Sequence, residues 1–164
     1  MNNYICVGKI INTFGIKGEL KIVSDFEYKE KIFKENFKIY IGELKKVEIV
    51  NSHRVHKNYD LVTFKGYNNI NEVLKYKGNK IYVERSDLKL EDNEYLLNDL
   101  IGFNVIDDDV EIGTVVDFEI TPNSTLLKVK GSKIFFIPNV SVYIKEIDIK
   151  AKKIITNNGS DLII

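Results

Sequence analysis

Residues 4–23, YICVGKIINTFGIKGELKIV, decide how the rest of the chain is to be read. Tyr4 to Ile11 is a β-rich run with Gly8 inside it, and Glu19 to Val23 is a second such run. Between them Gly15-Ile16-Lys17-Gly18 has the composition of a turn. This segment is neither a dinucleotide fingerprint nor a P-loop, both of which need more residues and a following helix. A strand, a glycine turn and a second strand make a hairpin, and the same pattern recurs along the chain.

Working outward, Lys38 to Ile41 and Leu44 to Val50 flank a turn at Gly42, followed by runs at Asp60 to Lys65 and Lys80 to Glu84. One helix is predicted near residues 70–77. Asn69-Ile70-Asn71-Glu72 has capping-box form, Ile70, Val73 and Leu74 share a face, and Gly78 supplies the stop. A second short helix lies around Tyr28 to Lys34. Residues 85–94, RSDLKLEDNE, are charged at six of ten positions and read as a linker. Strand-like runs then resume at 103–106, 111–120, 125–130 and 133–137, and 143–149 with 153–156 form a final hairpin. Asp107-Asp108-Asp109, Thr121-Pro122-Asn123-Ser124 and Gly131-Ser132 read as turns. Many short strands at regular spacing predict a mainly β chain of two small β-barrels, residues 1–84 and 95–164, joined by the short charged linker.

With 164 residues, 44% hydrophobic and 29% charged, and only 2 Pro and 10 Gly, the chain has a globular balance. Disordered, collagen-like and low-complexity classes are excluded. Lys9 interrupts the first apolar stretch, which argues against a signal peptide. The longest charge-free run near the C-terminus, Ile134 to Ile144, contains Pro138 and Asn139 and is too short to span a bilayer. A cytoplasmic setting without membrane association is the expectation. The formal net charge is +0, yet it divides unevenly. Residues 1–84 hold 15 Lys and Arg against 10 Asp and Glu, a balance of +5; residues 85–164 hold 9 against 14, a balance of −5. A basic half suits phosphate, and an acidic half suits a basic partner.

No catalytic constellation stands out. Cys6 cannot form an internal disulfide and, within an apolar run, reads as a small buried hydrophobe. His53 and His56 lie in a loop or strand end, with no Cys or acidic cluster to complete a metal site. Asp107, Asp108, Asp109 and Glu111 lack the spaced twelve-residue calcium loop. The pairs Asp25/Glu27 and Asp117/Glu119 fit solvated strand faces, and Ser86-x-x-Lys89 lacks its companion motifs. Neither metal nor cofactor is expected. What remains is a surface. Lys9, Lys17 and Lys21 flank the first turn; Arg54, His56 and Lys57 crowd a second. If the two loops meet at one end of a barrel, they form a cationic patch beside Phe14, suited to RNA through loops and stacked aromatics. The chain has 22 Lys and only two Arg, Arg54 and Arg85, a bias toward AT-rich codons that makes Arg54 conspicuous.

These residues resemble a known family. Val7-Gly8-Lys9-Ile10 and Gly15-Ile16-Lys17-Gly18-Glu19-Leu20-Lys21-Ile22 are similar to the opening of the ribosome maturation factor RimM family. Arg54-Val55-His56-Lys57, Leu61 to Gly66, Asn71-Glu72-Val73-Leu74 and Gly78 to Val83 follow in the family's order. Glu94-Tyr95, Asp99-Leu100-Ile101-Gly102, Glu111-Ile112-Gly113, Ile137-Pro138 and the final hairpin are similar to its PRC-barrel half. Phe14 stands where the family usually has His, and Tyr95-Leu96 where it has paired aromatics. Thr121 to Ser124 replaces a turn usually richer in Gly and Asp.

The resemblance implies a translation-factor-like barrel followed by a PRC barrel. It also implies a non-enzymatic, chaperone-like assembly factor of the small ribosomal subunit, acting in maturation of the head and supporting rRNA processing. The implied partners are ribosomal protein uS19 and the small-subunit precursor with its rRNA, bound by a monomer. On this reading Lys9, Phe14, Lys17, Lys21, Arg54, His56 and Lys57 face RNA, while Tyr95, Leu96 and Asp99 face the ribosomal protein. A general translation-factor-type RNA-binding module without a ribosomal-protein partner is the alternative, and an RNA-processing nuclease a more distant one.

Overall fold

The computed structural model describes residues 2–164 and is mainly β. It divides into two units, the first ending at Lys89 and the second beginning at Leu90. In the first, strands β1 (Tyr4–Phe14), β2 (Glu19–Val23), β3 (Lys38–Ile41), β4 (Lys46–His56), β5 (Tyr59–Phe64) and β6 (Lys80–Glu84) close a barrel in the order β1-β2-β5-β4-β3-β6. Every ladder in it is antiparallel. Leu20 and Ile22, Ile39 and Ile41, Val62 and Phe64, and Ile81 and Val83 are buried, recurring at the two-residue period of a strand with one face inward.

Six strands can close because the two eleven-residue strands bend at bulges. Strand β1 slips register between Cys6 and Gly8 against β6 and between Ile10 and Asn12 against β2, and β4 slips between Val50 and Ser52. Each bulge adds an unpaired residue and sharpens the local twist. Gly8 answers a close approach there: a Cβ on it would stand 2.6 Å from the Val23 carbonyl oxygen. The first bulge also corrects the expectation for Cys6. Val7 is the buried extra residue, while Cys6 lies opposite Tyr82 and is exposed.

Two short helices plug the connections, α1 (Lys29–Ile32) and α2 (Ile70–Val73), the latter continued by a 3-10 turn at Leu74–Tyr76. The capping box forms: Asn69 Oδ1 accepts from the Asn71 N–H at 2.8 Å and Glu72 Oε1 from the Asn69 N–H at 3.2 Å. Val73 is buried, but Leu74 is exposed because the chain tightens into the 3-10 turn after a single helical turn. Arg85–Leu88, within the stretch read as a linker, form another 3-10 turn that buries Leu88.

The second unit is a six-stranded sheet in the order β10-β9-β8-β7-β12-β11. Its strands are β7 (Asn104–Asp107), β8 (Val110–Ile120), β9 (Thr125–Lys130), β10 (Ile134–Pro138), β11 (Ile144–Asp148) and β12 (Lys153–Thr156). The β12–β7 ladder is parallel and the others antiparallel. One core serves the sheet, built from Leu97, Leu100, Phe103, Val105, Val115, Leu127, Val129, Phe135, Ile137 and Ile154. Asp108 and Asp109 both have positive φ, 49° and 64°, between paired Asp107 and Val110. That is a two-residue hairpin turn whose twist matches its strands.

Candidate nucleic-acid interface

Phe14 ends β1 opposite Glu19, the first residue of β2. Arg54 lies on β4, two residues before the strand ends, with β5 between it and β2. The twist of these strands lets Arg54 reach over β5. Its Nε donates to Glu19 Oε2 and its Nη2 to Glu19 Oε1, both at 2.9 Å. The guanidinium carbon sits 5.5 Å from the centre of the Phe14 ring, and that ring is 5.0 Å from the ring of His56. The hydrogen bond from Arg54, aided by its charge, holds the Glu19 carboxyl below the usual carboxylate range and raises Arg54 in return. Beside this group Lys21 Nζ stands 4.0 Å above the ring of Tyr59. Aromatic faces and cations therefore alternate across β1, β2, β5 and β4.

This face differs from the patch expected at one barrel end. Leu20 pairs with Val62 and Ile22 with Asp60, so β2 runs antiparallel to β5. The β1–β2 turn consequently lies at the Phe64 end of β5 and the β4–β5 turn at the Tyr59 end. Side chains, not a shared rim of loops, bring Phe14, Arg54 and His56 together. Lys17 is exposed on a turn fixed against the start of α2, where the Ile70 N–H donates to the Ile16 carbonyl at 2.9 Å. Gly18 closes that turn at φ +94°, a conformation L side chains rarely adopt, with its Cα side against the Asn69 backbone. Lys57 is exposed at the other turn. Lys9 pairs with Val23 and Lys80, roughly 16 Å from Phe14 along the strand at strand rise, and does not join the group.

One correction concerns charge. Arg54 is not a free cation, since Glu19 neutralises it; Glu19 is a member of the site that composition and spacing did not single out, being 35 residues away in sequence. Of the loop or strand end expected for the histidines, the structure has the strand end. Both lie on β4, and His53 is half-buried, its Nε2 2.8 Å from Asp60 Oδ1 and its ring stacked 5.3 Å from Phe33. Lys29 Nζ reaches the second Asp60 oxygen at 2.9 Å. Residues three apart on a strand point to opposite faces, so His53 and His56 are directed to different partners.

The three positions expected to contact a ribosomal protein sit at the entrance of the second unit. Tyr95 is partly buried, packed against the sheet's core, and its hydroxyl accepts from Asn139 Nδ2 at 3.4 Å. Leu96 is buried at 4% exposure, which removes its side chain from the surface. Asp99 Oδ2 accepts from the Leu96 N–H at 2.9 Å and starts the 3-10 turn Leu97–Leu100. Asp107 is likewise structural. Its carboxylate accepts from Thr156 Oγ1 (2.9 Å), the Gly159 N–H (3.0 Å), the Ser160 N–H (3.2 Å) and Ser160 Oγ (2.6 Å). Burial pushes this carboxyl upward, but the four hydrogen bonds outweigh it and hold it below the usual range. No helix among the described residues is long and apolar enough to cross a membrane.

Comparison with known proteins places this geometry in context. The family model for the RimM N-terminal domain matches residues 5–88, and that for the RimM PRC barrel domain matches residues 97–162. A protein named ribosome maturation factor RimM from Staphylococcus aureus (strain bovine RF122 / ET3-1) is 40% identical over 156 residues, covering 91% of this chain and 92% of the relative. Its counterpart in strain JH9 gives the same identity and coverage. Among solved structures, a 16S ribosomal RNA processing protein RimM from Pseudomonas aeruginosa aligns over 97% of this chain and 99% of its own, at 20% identity and a TM-score of 0.45. The N-terminal domain of RimM from Thermus thermophilus aligns over 52% of this chain and 94% of its own, at 16% identity and a TM-score of 0.45.

Proposed function

This chain belongs to the RimM family of ribosome maturation factors, and from that premise we propose that it is a non-enzymatic assembly factor of the small ribosomal subunit. The observation that carries the reading is the 40% identity running through both domains, over 91% of this chain. On it the chain acts as a cytoplasmic monomer in maturation of the subunit head and supports rRNA processing as a chaperone. The first unit binds precursor rRNA with the face around Phe14 and Arg54 and with the exposed lysines Lys17 and Lys57, in keeping with its balance of +6 over residues 1–89. The second, with a balance of −6 over residues 90–164, binds ribosomal protein uS19, whose basic surface it would attract.

Affinity copurification from cells tests the proposal. Small-subunit precursors together with uS19 are the expected cargo. RNA without any ribosomal protein would favour a general RNA-binding module of translation-factor type. Purified protein incubated with rRNA precursor is expected to leave it intact, since the sequence carries no recognisable catalytic motif. Multiple-turnover cleavage abolished by a point substitution would contradict the non-enzymatic role.

A further inference from the structure

We propose that Arg54 is a stacking platform for an unpaired nucleobase and not a phosphate clamp, an inference that rests on the RNA-binding reading above. A phosphate clamp is strongest with the side-on Nε/Nη2 edge of the guanidinium free and a net positive charge beside it. Arg54 has neither. The Nε/Nη2 edge is held bidentately by Glu19, each contact 2.9 Å. The pair carries no net charge, and a phosphate approaching that edge meets the Glu19 carboxylate, which is kept ionised by the same contact.

What the geometry leaves available is a flat surface. The guanidinium carbon lies over the Phe14 ring, 5.5 Å from its centre, and the Phe14 ring is itself braced by His56. The Arg54 side chain is nonetheless 54% exposed, with its Nε/Nη2 edge taken up by Glu19. A planar, weakly hydrated cation already fixed in orientation stacks on a base with little further loss of rotamer freedom. Arginine planes and aromatic rings are the surfaces on which proteins stack splayed RNA bases. Exposed Lys17 and Lys57, one on each flanking turn, are placed to hold the phosphates on either side. Glu19 is thereby a positioning residue: it orients the plane and keeps phosphate from competing for it.

Titrating the full chain with two fluorescent RNA octamers of equal phosphate number, an oligo(A) and its abasic analogue, tests this over a range of salt concentrations. Wild type should prefer the oligo(A). R54A should weaken oligo(A) binding by at least about fivefold, as loss of a stacked base does. Combined with E19Q, so that no carboxylate is left uncompensated, it should leave abasic binding and the salt slope unchanged. R54K, which keeps the charge and loses the plane, should lose oligo(A) binding like R54A, and it carries the comparison if R54A folds poorly. By contrast the Lys17→Ala/Lys57→Ala double variant should lower the slope by about 0.7 per contact on both octamers. Equal loss on both octamers with a slope reduced by about 0.7 in the E19Q/R54A variant would show a phosphate contact and overturn the proposal. So would oligo(A) binding unaffected by either Arg54 variant. Wild type that binds neither octamer would overturn the RNA-binding reading itself, and this inference with it.

Discussion

Asp107 shows how a carboxylate that looks like a candidate ligand in sequence becomes a structural tie. Asp107 ends β7 and gathers four donors from Thr156, Gly159 and Ser160, so it fastens the end of β12 and the following turn to the strand beside them. Removing it strands those donors, and Asp107→Ala should cost about 3 kcal/mol in urea unfolding, as expected for a buried, charged hydrogen-bond acceptor. The folded-state pKa of Asp107 is lowered, so the group binds protons more readily when unfolded. Its contribution is therefore fully present above the unfolded value of about 3.9 and is lost as pH falls through the folded value. Wild type should lose stability on acidification below about pH 4, and Asp107→Asn should show a shallower loss in that window. An identical pH profile for the variant would mean the acid sensitivity arises elsewhere. Asp60, 2% exposed and shared by His53 and Lys29, makes the same kind of tie in the barrel. Asp60→Ala should cost about 3 kcal/mol, because it leaves the Lys29 ammonium and the partly buried His53 ring without their acceptor.

At the scale of elements, much is legible in the sequence. Hairpin β1–β2, the two-residue turn at Asp108-Asp109 and the capping box of α2 are local features, each written in a few consecutive residues. Bulges are not. The slip between Cys6 and Gly8 depends on how β1 must bend to serve both β2 and β6, which no window along β1 contains. Cys6 reads as buried in the sequence for that reason. The Arg54–Glu19 contact is hidden by the same limit, since it exists only once β2, β5 and β4 stand side by side. The bulge also supports a prediction. With a Cβ on Gly8 standing 2.6 Å from backbone that cannot swing away, Gly8→Ala should cost about 1–3 kcal/mol in thermal unfolding, the range of overpacking. A neutral result would mean the β1–β2 pairing can relax by a few tenths of an ångström.

On the scale of the whole molecule, the division at Lys89/Leu90 and the opposed charges give each unit its own binding physics. Leu88 is buried in a turn of the first unit, so a fragment meant to isolate the second should begin at Leu90 and not at the charged stretch's first residue. Such a fragment keeps Tyr95, whose ring packs on the core formed by Leu97, Leu100 and Phe103 among others. Tyr95→Ala should consequently lower the fragment's stability by about 3 kcal/mol, in the range of aromatic truncations. Tyr95→Phe keeps the ring on the core while giving up the contact from Asn139, and should retain most of that stability. The binding consequence follows from charge. With 13 Asp and Glu against 7 Lys and Arg over residues 90–164, the acidic unit would, on the proposed function, steer a basic ribosomal protein by long-range attraction. Such attraction acts mainly on association and is screened over about 10 Å at 0.1 M salt. Stopped-flow mixing of the Leu90–Ile164 fragment with purified uS19 should thus show an association rate that falls steeply with salt and a dissociation rate that barely moves. A salt effect confined to dissociation would place the charges inside a short-range contact and remove the steering role from the −6 balance.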